Sequence, residues 1–101
     1  MRTILFFDLP TETSADIREY TRFHRFLIKN GFIMMQKSVY CHLSLNATAM
    51  GSVVASVRKN KPSKGIVQVL NVTEKQFSRM EFILGQYDGD IINSDCRLVI
   101  L

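Results

Sequence analysis

A chain of 101 residues, 47% of them hydrophobic, can bury one core without disulfide or metal staples and is too apolar to be disordered. The net charge of +4 and pI near 9.3 lean towards an anionic partner without requiring one. Cys41 and Cys96 lie far apart with no CxxC, which argues against structural zinc, and no apolar run approaches membrane-spanning length.

The first ten residues organise the rest. Thr3-Ile4-Leu5-Phe6-Phe7 is a β-branched and aromatic run that stops at Asp8-Leu9-Pro10, so residues 2–8 read as a strand. Ile4 and Phe6 fall on one pleat face, Leu5 and Phe7 on the other, as expected of a strand in the middle of a sheet covered on both sides. Asp8 shares the face of Ile4 and Phe6, and Pro10 cannot extend the ladder. A rigid strand therefore holds a carboxylate at the mouth of the core. It is a candidate metal ligand or general base; the simpler reading is a cap on the following loop. A five-residue apolar run followed by an acid is no signal peptide, so free thiols in a reducing cytoplasm are expected.

Thr13 with Asp16 three residues on marks a helix N-terminus, and Gly31 follows the helix end near Asn30. At about 100° per residue, Ile17, Tyr20, Phe23, His24, Leu27 and Ile28 gather on one side. Arg18, Arg22, Arg25 and Lys29 gather on the other, within an arc of about 60°. Charged stripes are usually solvated faces of mixed sign. Here Glu19 lies beside the stripe and no acid interrupts it, so the four cations repel one another. A polyanion would offset that repulsion, which makes phosphate binding the functional reading. His24 lies on the apolar side and reads as a satisfied core residue.

Residues 32–36 and 38–45 read as two short strands in tandem, with Gln36-Lys37-Ser38 as a bend or bulge between them. Lys37 and Ser38 could face a ligand there; a plain polar corner is the alternative. Cys41 and His42 read as packing residues. Asn46 caps a helix over about 47–60 whose Ala47, Met50, Val53, Val54 and Val57 share a face. Arg58, Lys59, Lys61 and Lys64 surround its end. They complement the helix dipole and could also touch phosphate. Ile66 to Val72 is a strand, and Thr73-Glu74-Lys75-Gln76 a capping box. It opens a helix expected to reach Leu84, with Phe77, Met80 and Leu84 facing the core. Residues 86–95 are an acidic, turn-rich loop. Asp88 and Asp90 suggest calcium, but Ile92 stands where a third oxygen ligand is needed. Leu98 to Leu101 is an expected terminal strand.

The order β-α-β-β-α-β, then a short helix and an extra strand, is the α+β ferredoxin-like pattern: a four-stranded antiparallel sheet with two helices on one face, one domain over 1–101. The opposite sheet face carries large apolar side chains. Either the late helix or a second subunit must cover it, and a symmetric homodimer, sheet against sheet, is favoured. Its two-fold axis would bring two copies of Asp8 towards each other.

The chain resembles the small CRISPR-associated adaptation protein family, the subunit that dimerises between integrase dimers during spacer acquisition. The likeness is carried by Phe7-Asp8-Leu9-Pro10, the basic helix closing with Asn30-Gly31-Phe32, Gln36-x-Ser38-Val39-Tyr40 and Arg97-Leu98-Val99-Ile100-Leu101. Val72-Thr73-Glu74-Lys75-Gln76-Phe77 is similar to the type II branch. The resemblance implies a homodimer that binds an integrase subunit and double-stranded DNA, with RNA as the other nucleic acid. It also implies a metal-dependent phosphodiesterase, endoribonuclease or endodeoxyribonuclease, with Asp8 as the Mg2+ ligand. The first helix would face the duplex, so that Arg18→Glu with Arg22→Glu should abolish binding. One subunit offers one carboxylate, so cleavage is expected to be weak or conditional on bringing both Asp8 residues together. The alternative is a toxin-like metal-dependent endoribonuclease acting on its own. Neither the RNA-recognition signature nor a glycine-rich phosphate loop is present.

Overall fold

The computed structural model describes residues 1–85. The expected strand at 98–101, the acidic loop 86–95 and Cys96 lie outside them. In chain order the elements are β1 (Arg2–Asp8), α1 (Ser14–Lys29), β2 (Ile33–Gln36), β3 (Val39–Leu43), α2 (Ala47–Lys59), β4 (Ile66–Val72) and α3 (Glu74–Ser78). The sheet order is β2-β3-β1-β4, and every neighbouring pair is antiparallel. This is the expected α+β, ferredoxin-like arrangement.

Local chemistry sets the helix starts. The Thr13 hydroxyl accepts the Asp16 amide at 3.0 Å, while the Asp16 carboxylate accepts the Thr13 amide at 3.2 Å. Thr73 and Gln76 repeat this reciprocal box at α3, and Asn46 Oδ1 accepts the Ala49 amide at 2.8 Å. Each satisfies backbone donors that the helix itself leaves unpaired.

The main core lies between the sheet and α1/α2: Leu5, Phe7, Phe23, Leu27, Phe32, Tyr40 and Val57. Phe7 is its hub, with the rings of Tyr20, Phe23 and Tyr40 at 5.8, 5.5 and 5.5 Å. On the other sheet face Phe77 of α3 packs on Ile4. Arg2, 2% exposed, lies beneath α3. Its Nε donates to Glu74 Oε2 at 2.9 Å, and its guanidinium sits 4.5 Å from the Phe77 ring centroid. The late helix therefore covers the Arg2–Ile4 end of this face. Phe6, Ile66 and Leu70 beyond it remain exposed.

Several expectations need correction. Helix α3 ends at Ser78, not near Leu84. Phe77 alone of its apolar residues is buried; Met80 is exposed, and Ile83 and Leu84 are 85% and 93% exposed. On α1 the buried face is narrower than the wheel suggested. Phe23 and Leu27 are buried, whereas Ile17 and Ile28 sit on its flank, exposed. The bend expected at residues 36–38 is the turn of a tight hairpin, so β2 and β3 pair antiparallel side by side. Lys37 and Ser38 are its turn, Ser38 has φ of 65°, and the ladder shifts register between Met34 and Gln36. Among the described residues no helix is long and apolar enough to cross a membrane.

Candidate nucleic-acid interface and strand-end carboxylate

Asp8 is the last residue of β1, exposed, and opposite Ile66 of β4. One residue earlier, the Phe7 amide donates to the Ser38 carbonyl at 3.1 Å. The β2–β3 turn (Lys37, Ser38), Asp8 and the Lys64-Gly65 entry to β4 thus meet at one end of the sheet. Gly65 has φ of +92°, and a Cβ there would lie 2.5 Å from the Asp8 carbonyl oxygen. Only glycine allows β4 to begin so close to the strand end that carries the carboxylate. Among the described residues no three His, Cys, Asp or Glu side chains gather into a metal-holding group. Asp8 brings a carboxylate, a hard-oxygen donor, to this end.

The basic residues form two groups that the fold joins. Arg18, Arg25 and Lys29 are exposed along α1 and form no ion pair among the described residues. Arg22 differs. Its Nε donates to Glu19 Oε2 at 3.0 Å, and its Nη2 donates to the carbonyls of Asn60 and Lys61 at 3.2 and 3.5 Å. The stripe is therefore not four unpaired cations: Glu19, read as lying beside it, takes up one. The bond from Arg22 holds the Glu19 carboxyl below its usual range, with the Ser63 backbone amide acting in the same direction. Arg58 and Lys59 close α2, and Lys61 and Lys64 lie in the loop beyond. Lys61 Nζ donates to the Arg58 carbonyl at 3.5 Å, at the negative end of the helix dipole. Through Arg22 this second group is anchored to the helix carrying the first.

The remaining polar candidates are structural. His24 Nδ1 lies 2.6 Å from the hydroxyl of Tyr40, whose burial pushes its pKa up. His42 packs against the Phe32 ring at 5.2 Å, and burial lowers its pKa. Burial pushes the Cys41 thiol up, partly offset by Arg2, whose Nη1 is 3.7 Å from Sγ. Sequence reasoning missed both arginine anchors, Arg2 and Arg22. The only sequence signal for Arg22 was Glu19 at the i−3 position; for Arg2, paired with a residue 72 positions away, there was none.

The model of the family described as CRISPR associated protein Cas2 matches residues 1–80. A protein of Treponema denticola named CRISPR-associated endoribonuclease Cas2 is 52% identical over 101 residues, covering 100% of both chains. A protein of the same name from Streptococcus mutans is 48% identical, covering 100% of this chain and 93% of its own. One from Ligilactobacillus salivarius is 43% identical over 100% of both.

Proposed function

The chain belongs to the CRISPR associated protein Cas2 family, and on that premise we propose that it is a dimeric nucleic-acid-binding scaffold subunit of spacer acquisition. The observation that carries this reading is the one-sided cationic surface. Arg18, Arg25 and Lys29 are exposed along one helix, and the basic turn at 58–64 is tied to the same helix by Arg22. Phosphates are the natural counter-charge for such a surface, and binding releases the cations condensed on the duplex. The exposed Phe6, Ile66 and Leu70 on the open sheet face would be covered by a second copy. An integrase subunit is the protein partner of the assembly. Duplex DNA should bind with steep salt dependence, and Arg18→Glu with Arg25→Glu should weaken binding strongly and reduce the log–log salt slope by about 2. Unchanged binding in that double variant would remove the proposal, as would a monomer in solution that hides the open face itself.

A second reading, a metal-dependent endoribonuclease, is favoured by Asp8 and by the names of the relatives. The donor set fits Mg2+ only in part. A carboxylate suits this hard ion, which takes one or two carboxylates and keeps several waters, but among the described residues no group of three His, Cys, Asp or Glu side chains stands ready to hold it. Two Asp8 copies across a two-fold axis, or one Asp8 with a substrate phosphate, would complete it. The ion would supply an activated water and charge stabilisation at the leaving oxygen. The protein's part is to hold the Asp8 carboxylate at the strand end, with Lys37 and Lys64 on neighbouring turns to attract the substrate backbone. Purified Asp8→Ala should keep its fold and lose Mg2+-dependent cleavage; equal cleavage by both proteins would identify a contaminant.

A further inference from the structure

Arg22 donates from two nitrogens of its guanidinium. Nε meets Glu19, and Nη2 meets two successive carbonyls of the loop after α2, those of Asn60 and Lys61. A planar fork of fixed donors suits this bridging. Glu19 also lines a cavity of about 80 Å³ with Leu9, Pro62, Ser63 and Lys64. The loop therefore rests on α1 and on the β1–α1 connection together. From Lys64 the chain passes directly through Gly65, against the Asp8 carbonyl.

We propose that Glu19 and Arg22 form a positioning bracket that presents the basic turn around Lys61 and Lys64 to nucleic acid, and that Arg22 is not itself a phosphate ligand. The idea rests on the nucleic-acid reading above. It reverses a simple electrostatic expectation. On an ordinary cationic surface, deleting an acid makes the field more positive and tightens binding to a polyanion. In the bracket, deleting Glu19 frees the Arg22 fork, loosens the loop and weakens binding although the net charge rises. An exposed ion pair contributes little to global stability, so the denaturation midpoint should barely move while the loop does.

The test uses the full chain as wild type, Glu19→Ala, Arg22→Ala, the double variant, and Arg18→Ala as comparator. Amide hydrogen exchange at residues 60–65 is read without nucleic acid, and affinity is read for a DNA duplex. Both single variants should exchange several-fold faster at 60–65 and bind the duplex several-fold more weakly. The double variant should be no worse than the worse single one, as expected of residues acting as one unit. Arg18→Ala should weaken binding and leave exchange unchanged. Unaltered exchange at 60–65 in both single variants, or tighter binding by Glu19→Ala, would overturn the bracket. If the wild type binds no duplex, the functional reading falls, and the exchange data still decide whether the pair orders the loop.

Discussion

Replacing Gly65 by alanine tests how the strand end that carries Asp8 is built. The residue sits at φ of +92°, where an L side chain is strained by about 1–2 kcal/mol. The added Cβ would lie 2.5 Å from the Asp8 carbonyl oxygen, 2.8 Å from Leu9 Cδ2 and 3.1 Å from Leu9 Cα. Two of those three atoms are backbone and cannot swing aside, so crowding adds about 1–3 kcal/mol. The sum, about 2–5 kcal/mol, is a large part of the ~5–15 kcal/mol that holds a domain folded. The melting temperature should fall by on the order of 10–30 °C. Two other glycines calibrate the result. Gly31 has φ of +89°, but its Cβ would meet only the His42 ring, at 3.2 and 3.4 Å. A side-chain ring can rotate away, leaving mainly the backbone strain of about 1–2 kcal/mol. Gly51 lies within α2 with nothing within 4 Å, so alanine there should stabilise by about 1 kcal/mol. Urea denaturation of the three variants at one protein concentration gives the ranking directly. A Gly65→Ala protein within about 0.5 kcal/mol of wild type, or no less stable than Gly31→Ala, would refute the reasoning.

Other predictions follow from the buried polar groups. Glu74→Ala removes charge-assisted hydrogen bonds to the buried Arg2 and should cost about 1.5–3 kcal/mol, with α3 amides losing exchange protection first; unchanged α3 protection would show that Glu74 does not hold that helix. Burial depresses the pKa of His42, so the unfolded chain binds the proton more readily. His42 then destabilises the fold as pH drops below the unfolded value near 6.5, and stability rises with pH up to that value. His42→Gln should flatten the stability profile between about pH 5 and pH 7, and an unchanged slope would assign it to other groups. Cys41, buried and with its thiol pKa raised, should resist alkylation in a Cys96→Ser background until denaturant is added; rapid labelling of the native protein would contradict that burial.

Local signals were legible wherever the cause was local. Thr13, Asn46 and Thr73 cap helices through bonds three residues away, so the helix starts could be read in order along the chain. The unbroken apolar run Ile4-Leu5-Phe6-Phe7, apolar on both pleat faces, named a central strand, and the order of elements named the ferredoxin-like sheet. Asp8 at a strand mouth and the cationic face of α1 were equally plain, since each depends on one element's periodicity. What periodicity could not supply was the surface each face meets. Ile17 and Ile28 continue an apolar pattern, yet they are exposed because burial needs a neighbour as well as a pattern. Arg2 under α3 and Arg22 across to Asn60 and Lys61 are contacts between distant segments. They exist only once the sheet has set those segments side by side, because side-chain hydrogen bonds of a few ångströms depend on chain path and not on spacing in the sequence.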